Sequence, residues 1–401
     1  MIRIGVTYVT LMAASALPVY AATPEQTAIE VLAKTPIIDG HNDTPEQIRE
    51  IFGNDFSKFD LMNLPPEVVA KTHTTIPKLR EGHVGGQFWS VWVDAALPKH
   101  EAVVTVLEQI DTVERMVARY PETFQMARTS TEVEAAMKKG KIASLIGMEG
   151  GHSIANSLGV LRQMYRAGAR YMTITHFLTT DWADSATDAP KHDGLTPFGI
   201  EVIGEMNRLG MIVDLSHVAE TTMNDVLDVT KAPVVFTHSN ARALLDHPRN
   251  VSDAVLKRLP TNGGIVMVTF VPGYLSPVLR KWEADKAAQE ARSKATNSGN
   301  PAGEKAANET WLAANPRPLA TLMQAADMVD HIRKVAGIDH IGIGGDFGGI
   351  PTVVDGLEDV STYPAFFAEL VRRGYSKADL TKIAQGNILR VMRGVEKTAG
   401  R

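Results

Sequence analysis

The sequence predicts an α/β fold, a (β/α)8 TIM barrel with an enlarged loop between its seventh and eighth strands. Eight short apolar segments alternate with helical segments, a pattern typical of a parallel sheet closed into a barrel. The length of 401 residues also suits one large barrel. An open doubly wound sheet is the alternative, but the glycine-rich segment 342–349 does not fit the G-x-G-x-x-G fingerprint that such sheets use for nucleotides.

Runs of apolar, β-branched and aromatic residues predict the eight strands. In chain order they are residues 37–40, 86–93, 141–149, 170–176, 211–217, 233–238, 264–270 and 340–346. Helical spacing of apolar residues predicts the helices between them. These are residues 23–34, 101–120, 132–139, 158–167, 198–209, 220–230, 253–259 and 319–336. The polar segment 44–81 contains prolines, and we assign it no element.

Residues 1–21 are predicted to be a secretory signal peptide. Arg3 provides a short positive region, an apolar stretch follows at 4–17, and small side chains precede a cleavage point after Ala21. The apolar stretch is short for a membrane span, which needs about 20 residues. We therefore expect a periplasmic or secreted protein whose mature chain, residues 22–401, forms a single domain.

One segment interrupts the alternation of strands and helices. Residues 272–318, between the last two predicted strands, contain a charged helical stretch at 278–296 and then a polar, glycine-containing stretch at 297–303. The segment lacks the apolar content for a core of its own. We interpret it as an insertion in a loop of the barrel and not as a second domain.

The composition excludes two kinds of site. The chain has no cysteine, so disulfides and cysteine-based zinc sites are excluded. Its formal net charge of −5, without a basic block, gives no indication of nucleic-acid binding. Any metal ion must therefore be held by histidine, aspartate and glutamate side chains.

Side chains that can bind a metal ion end six of the eight predicted strands. They are His41 with Asp43, Glu149, His176, His217, His238 and Asp346. His41 and Asp43 are two positions apart, so they point to the same face of an extended strand. In a (β/α)8 barrel the carboxyl ends of all strands face one mouth, where active sites lie. The pattern therefore predicts a metal site at that mouth.

The number of candidate ligands indicates two metal ions. Three histidines and two carboxylates exceed the ligands of one tetrahedral zinc ion. We expect His41 and Asp43 to hold one ion, His217 and His238 to hold the other, and Glu149 to bridge them. Two ions about 3.5–4 Å apart can share a hydroxide that attacks a carbonyl, which favours hydrolysis. The chain has neither a G-x-S-x-G elbow nor an H-E-x-x-H helix.

Three other residues keep alternative interpretations. His176 is a metal ligand, a donor to the substrate or a buried structural residue, and we favour the donor. Asp346 either binds metal or handles a proton or a substrate amine. Arg249 either clamps a carboxylate with two hydrogen bonds or is a solvated loop residue. For His152, three residues after Glu149, we favour a structural role or one that supports a metal ligand from behind.

Nine motifs, spread from the first strand almost to the C-terminus, are shared with one known family. They are IDGHND at 38–43, QFWS at 87–90, EGGH at 149–152, RYMTITH at 170–176, WAD at 182–184, DLSH at 214–217, THS at 237–239, GGDF at 344–347 and GLED at 356–359. With these motifs the chain resembles the renal (membrane) dipeptidase family of zinc metallopeptidases, within the amidohydrolase-like barrels.

The resemblance implies roles for the residues at the mouth. It implies two Zn²⁺ per chain in the arrangement given above, with Glu149 both bridging and catalytic. His176 would contact the substrate carbonyl or its oxyanion, and Asp346 would act near the scissile nitrogen or the free amine. Arg249 would hold the C-terminal carboxylate of the substrate, with Tyr274 assisting.

The resemblance also implies a small dipeptide substrate, often with a D-residue at the C-terminal position. Alternatives on the same site are a lactonase, a phosphotriesterase or a β-lactam hydrolase, and one from another class is a non-catalytic metal-dependent binding protein. The chain departs from the family at Gly348 and Thr75, where aspartate is usual, which leaves substrate preference open. Without cysteine or an apolar C-terminal tail, we expect a soluble bacterial member with no membrane association after signal cleavage. A homodimer is compatible with these expectations.

Overall fold

Nine parallel strands form the sheet of the computed structural model, which describes residues 1–2, 5 and 22–400. The strands are β1 Ile37–Asn42, β2 Val84–Trp92, β3 Phe124–Met126, β4 Ile142–Glu149, β5 Ala169–Thr173, β6 Ile212–Asp214, β7 Val235–Ser239, β8 Ile265–Val268 and β9 Ile341–Ile343. Most of the predicted signal peptide, residues 1–21, lies outside the described residues and stays a prediction.

Eight of these strands close into a ring. The order is β2-β1-β9-β8-β7-β6-β5-β4, and pairing of β2 with β4 completes the circle. The predicted (β/α)8 barrel is therefore confirmed. The additional strand β3 pairs with the first three residues of β4. The same edge of β4 pairs with β5 from Ile146 onward, so β3 lies outside the ring. Three residues are too few to show a period of two, so β3 could not be predicted from the sequence.

The helices follow the strands around the barrel. They are α1 Pro24–Lys34, α2 Thr44–Phe52, α3 Pro66–Thr72, α4 Ile76–Glu81, α5 Lys99–Arg119, α6 Ser130–Lys138, α7 Leu158–Ala167, α8 Pro197–Leu209, α9 Glu220–Val229, α10 Asp253–Leu256, α11 Leu259–Asn262, α12 Pro277–Thr296, α13 Pro301–Ala314, α14 Leu322–Ala336, α15 Tyr363–Arg372, α16 Lys377–Thr381 and α17 Asn387–Thr398.

Three helices occupy segment 44–81, to which the sequence assigned none. Each of α2, α3 and α4 has a proline in its first turn: Pro45, Pro66 and Pro77. Proline is tolerated there because the amide N–H that it lacks has no partner inside the helix. The prolines therefore mark helix starts. Helices α3 and α4, of seven and six residues, are too short to show a clear amphipathic period, whereas α2 has apolar residues at helical spacing, Ile48, Ile51 and Phe52, and could have been predicted.

The enlarged loop after β8 is a pair of packed helices, α12 and α13. The rings of Trp282 and Trp311 lie with centroids 5.8 Å apart, and the Trp282 indole donates to the Asn315 carbonyl at 2.9 Å. Only Leu279 and Ser293 of α12 are buried, and no residue of α13 is. Helix α13 begins within the polar stretch 297–303, where the Asn300 side chain caps its start.

The interior of the barrel is filled with apolar side chains, as it is in barrels of this type. A buried cluster takes residues from seven of its strands and continues into α17; the strand residues are Ile38, Phe88, Ala143, Leu145, Tyr171, Ile212, Val235, Ile265 and Met267. Gly147 makes room for Tyr171, because a Cβ atom at Gly147 would lie 2.0 Å from the tyrosine ring. No helix among the described residues is long and apolar enough to cross a membrane.

Candidate active site

The predicted site residues converge at the carboxyl ends of the barrel strands, around a cavity of about 340 Å³. His41, Glu149 and His238 lie on β1, β4 and β7. His176, His217 and Asp346 each lie three residues beyond a strand, where the sequence had placed them on the strand itself. The backbone has the left-handed conformation at two of these positions, with φ of 66° at His217 and 65° at Asp346. Positive φ at non-glycine residues is costly and clusters at functional sites.

Glu149 lies at the centre of the site and faces two groups of side chains. Its Oε1 lies 3.1 Å from His217 Nε2 and 3.4 Å from His238 Nε2. Its Oε2 lies 3.4 Å from His41 Nε2 and accepts a hydrogen bond from the Ser90 hydroxyl at 3.2 Å. A carboxylate that presents one oxygen to each group is suited to bridge two cations.

The remaining carboxylates lie beside His41. Its Nε2 is 3.3 Å from Asp43 Oδ2 and 4.0 Å from Asp346 Oδ1. Three overlapping triads therefore each place ligand atoms within 4.8 Å of one another: His41 with Glu149 and His238, Glu149 with His176 and His217, and His41 with Asp43 and Asp346. The predicted ligands are brought together.

The donor atoms fit divalent metal ions. The Nε2 atoms of His217 and His238 lie only 2.9 Å apart, both beside Glu149. Imidazole nitrogens and carboxylate oxygens are the ligands that zinc takes in the absence of cysteine. The residues that would hold metal are His41, Asp43, Glu149, His217 and His238.

Two histidines have hydrogen bonds that aim Nε2 into the cavity. The Thr237 hydroxyl donates to Asp214 Oδ2 at 2.7 Å and is therefore free to accept from His238 Nδ1, which lies 2.9 Å away. His41 Nδ1 lies 2.9 Å from the Tyr171 hydroxyl. An acceptor on Nδ1, as the Thr237 hydroxyl is for His238, fixes the tautomer that leaves the Nε2 lone pair available to a metal ion.

Thr237 is accordingly expected to influence metal affinity without touching the metal. In Thr237→Val, His238 Nδ1 loses its acceptor, and the dissociation constant for Zn²⁺ should rise about 10–100-fold. The measurement is competition against a chromophoric chelator. Thr237→Ser keeps the hydroxyl and should retain wild-type affinity. Equal affinities in all three proteins would show that this hydrogen bond does not control His238.

The ionisation states of the central groups suit metal binding. Burial alone would raise the pKa of Glu149, but His41, His217 and His238 hold it well below its usual range. Burial lowers the pKa values of His217 and His238 well below their usual range, and the nearby Arg249 guanidinium lowers both further. These three residues are therefore an ionised carboxylate and two neutral imidazoles, the forms that bind metal.

Asp346 has the opposite character. Burial raises its pKa well above the usual value; His41 opposes the rise, and the carboxylates of Asp43 and Glu149 reinforce it. A buried carboxylate, Asp39, joins the two strand ends, because it accepts the N–H of His41 at 3.0 Å and that of Gly345 at 3.1 Å. Asp346 is thus fixed beside His41 and able to hold a proton.

His176 is neutral and held by a tryptophan. Burial lowers its pKa to about 4. The Trp92 indole nitrogen lies 3.1 Å from His176 Nδ1 and 3.2 Å from His176 Nε2, and Nε2 is 3.8 Å from Glu149 Oε1. When Nδ1 accepts from the indole, Nε2 carries the proton and can donate it into the cavity. This geometry is compatible with the donor role.

Arg249 is buried, which contradicts its interpretation as a solvated loop residue. It is 1% exposed, and its guanidinium donates to the His238 carbonyl at 3.2 Å and to Ser239 Oγ at 3.5 Å. The buried Nε has no hydrogen-bond partner among the described residues. The Arg249 guanidinium carbon lies 5.4 Å from the centre of the Tyr274 ring, and both residues line the cavity. The guanidinium therefore keeps donor capacity for a ligand.

Sequence reasoning missed several residues of the cavity wall. They are Glu46, Trp92, Phe177, Val271 and the loop 349–351. Burial raises the pKa of Glu46 to about 9, and the carboxylates of Asp43 and Glu50 add to the rise. Glu46 follows Asp43 by three positions, which is one helical turn, and this spacing could have suggested it. His152 does not line the cavity.

A closed parallel barrel whose mouth holds buried histidines and carboxylates defines a metal-dependent hydrolase of the (β/α)8 class. A family model described as membrane dipeptidase (peptidase family M19) matches residues 25–401. The chain belongs to this family and is a dipeptidase of the metallopeptidase type.

Relatives and solved structures agree with this assignment. An uncharacterised dipeptidase of Schizosaccharomyces pombe is 40% identical, over 93% of this chain and 84% of its own length. Dipeptidase 3 of Rattus norvegicus is 39% identical, over 92% of this chain and 67% of its own. Both are eukaryotic, so the expectation of a bacterial member is not borne out. The crystal structure of the probable dipeptidase PvdM from Pseudomonas aeruginosa superposes with a TM-score of 0.80 at 27% identity, covering 94% of this chain and 99% of that one.

A further structure shows the fold alone. The metallopeptidase of Rhodobacter sphaeroides, solved with a phosphinate mimic of the dipeptide L-Ala-D-Ala, has a TM-score of 0.73 at 22% identity. It covers 90% of this chain and 99% of its own. The barrel architecture is thus shared with enzymes of more distant sequence.

Proposed function

We propose that the protein is a binuclear zinc dipeptidase, in which two Zn²⁺ held by the five candidate ligands would supply a hydroxide for attack on the peptide carbonyl of a dipeptide. The position of the Glu149 carboxylate is the main support for this proposal, since one of its oxygens faces His217 and His238 and the other faces His41. Asp43 completes the group around His41. When bound, two Zn²⁺ supply the Lewis acidity that makes water a strong nucleophile at neutral pH and polarises the scissile carbonyl.

The substrate carboxylate is assigned to Arg249. Its guanidinium is buried, has an unpartnered Nε among the described residues and lines the cavity beside Tyr274. An arginine in this state can form two parallel hydrogen bonds with a carboxylate. The Tyr274 hydroxyl stays protonated, because burial raises its pKa, and can donate to the same group.

Two residues act on the reacting atoms. His176, neutral because its pKa is about 4, donates from Nε2 to the oxyanion that develops on the scissile carbonyl. Asp346 takes the proton released by the nucleophile on a carboxylate oxygen and delivers it to the nitrogen of the leaving amine. Its raised pKa favours holding that proton.

We propose further that a D-residue is tolerated at the C-terminal position. The resemblance implies such tolerance, and the phosphinate bound to the Rhodobacter sphaeroides enzyme mimics L-Ala-D-Ala. The carboxylate contact to Arg249 does not itself depend on the direction in which the C-terminal side chain projects.

A dipeptide panel with L- and D-residues at the second position tests this function. The zinc-loaded protein should hydrolyse L-Ala-L-Ala and L-Ala-D-Ala, a chelator should abolish both activities, and added Zn²⁺ should restore them. Dipeptide amides, which lack the carboxylate that Arg249 holds, should be poor substrates. Hydrolysis of lactones or phosphotriesters without hydrolysis of any dipeptide would contradict the proposal, as would binding without turnover.

We also propose export, to the periplasm or outside the cell, by the signal peptide predicted in residues 1–21. Its charged start, its short apolar stretch and the small residues before Ala22 support this proposal. N-terminal sequencing of the protein from the exported fraction should begin at Ala22 or Thr23. A mature protein that keeps Met1 would contradict it.

A further inference from the structure

A second hollow, of about 360 Å³, adjoins the catalytic cavity. Glu46 and the loop 349–351 line both spaces, and Gln47, Ala70 and Lys71 complete the walls of the hollow together with Gly348. The two spaces share four lining residues, so they border each other at Glu46 and the loop 349–351.

Glu46 is the acidic residue at this border. It lies in the first turn of α2, three positions after the metal-binding candidate Asp43, and its side chain is half-buried. Within the described part of the chain, its carboxyl group makes no hydrogen bond and no ion pair with another side chain. It is the single acidic residue among those that line the hollow. Because burial raises its pKa to about 9, the group holds a proton while it has no partner, and a cation supplied by a ligand stabilises its ionised form.

Gly348, which has no side chain, leaves part of the hollow open. Gly348 has a φ of 90°, and a Cβ atom there would lie 3.0 Å from the carbonyl carbon of Asp43 and 3.1 Å from the amide nitrogen of Thr44. Any larger residue would be strained and would crowd the start of α2. The aspartate that the resemblance leads one to expect at this position is absent, so Glu46 is the one carboxyl group that lines the hollow.

Around the ring of strands, Arg249 lies on a different side from the acidic residues Glu46 and Asp346. Arg249 and Tyr274 follow β7 and β8, whereas Glu46 follows β1, which is separated from β7 by β8 and β9 around the ring. Asp346 follows β9, between the two. A dipeptide whose carboxylate lies at Arg249 therefore extends its amino-terminal residue toward Asp346 and Glu46.

We infer that the hollow is a subsite for the side chain of the amino-terminal residue and that Glu46 selects a cationic side chain, that of lysine or arginine. This inference rests on the proposed dipeptidase function. Lys71 is the one basic residue in the lining. It is exposed, it lines the hollow but not the catalytic cavity, and it makes no ion pair with Glu46 among the described contacts. Its flexible stem allows the ammonium group to remain in solvent.

The experiment compares two substrates that differ only in an ammonium group, lysyl-alanine and norleucyl-alanine. For the zinc-loaded wild type, kcat/KM should be at least about tenfold higher for lysyl-alanine, and Glu46→Gln should reduce this ratio to near one. Glu46→Lys should reverse the preference in favour of glutamyl-alanine. Glu50→Gln is the matched control, because it removes the same charge one turn further along α2 from an exposed position; it should keep the wild-type ratio.

The outcomes separate this inference from the function on which it rests. If the wild type hydrolyses norleucyl-alanine but shows no preference for lysyl-alanine, the inference is wrong and the dipeptidase function stands. A preference that Glu46→Gln leaves intact, or a wild-type preference for glutamyl-alanine, also overturns it. If no dipeptide in the set is hydrolysed, the proposed function fails first.

Discussion

Replacement of Glu149 by alanine is expected to abolish dipeptide hydrolysis and to lower the bound metal. Glu149 is the one side chain whose carboxylate lies within 3.4 Å of three of the candidate histidine ligands, through both of its oxygens. Without it, two cations would lose their shared anionic ligand and would repel each other across the cavity. We expect kcat to fall on the order of 10³-fold or more, because metal-ion catalysis contributes several kcal/mol to the reaction.

Elemental analysis beside steady-state kinetics checks this expectation. His217→Ala should behave in the same way, since its Nε2 lies 3.1 Å from the same carboxylate. The control is Glu122→Ala. Glu122 is exposed and is not one of the site residues, so this variant should retain both metal and activity. Zinc content that stays at the wild-type level in both Glu149→Ala and His217→Ala would refute the ligand assignment.

Replacement of Asp346 by asparagine is expected to separate proton transfer from metal binding. Asparagine keeps the shape of the side chain but cannot take up and release a proton. We expect kcat to fall about 10²–10⁴-fold, the range that general acid–base catalysis contributes, with a smaller change in KM. Metal content should remain that of the wild type.

The metal content of Asp346→Asn decides between the two roles left open for this residue. Asp346 Oδ1 lies 4.0 Å from His41 Nε2 and forms a triad with His41 and Asp43, so a ligand role is geometrically open. Loss of one metal ion per chain in the variant would contradict the proton-transfer role. Asp246→Asn, at a side chain that is 96% exposed, controls for the substitution itself.

The barrel and most of the site could be predicted because both depend on local sequence. Buried parallel strands are near-continuous apolar runs, so Ile37 and Ile38 mark β1 without reference to the rest of the chain. Closure of the barrel then brings the strand ends to one mouth. His41, Glu149 and His238 could therefore be placed together from their position at the end of an apolar run.

The residues that hold the site in place could not be predicted in the same way. Asp39 accepts the N–H of Gly345, 306 positions away, and the Tyr363 hydroxyl, 324 positions away. The indole of Trp92 reaches His176 across 84 positions. Such contacts depend on how loops and helices pack after the barrel has closed, and no period or spacing in the sequence encodes them.

The most direct test of the binuclear assignment is a titration of the metal-free protein with Zn²⁺, in which hydrolysis of L-Ala-D-Ala and bound metal are measured on the same samples. A binuclear site predicts no hydrolysis without metal and full activity only when two equivalents of Zn²⁺ are bound per chain. Full activity at one equivalent, or hydrolysis by the metal-free protein, would contradict it.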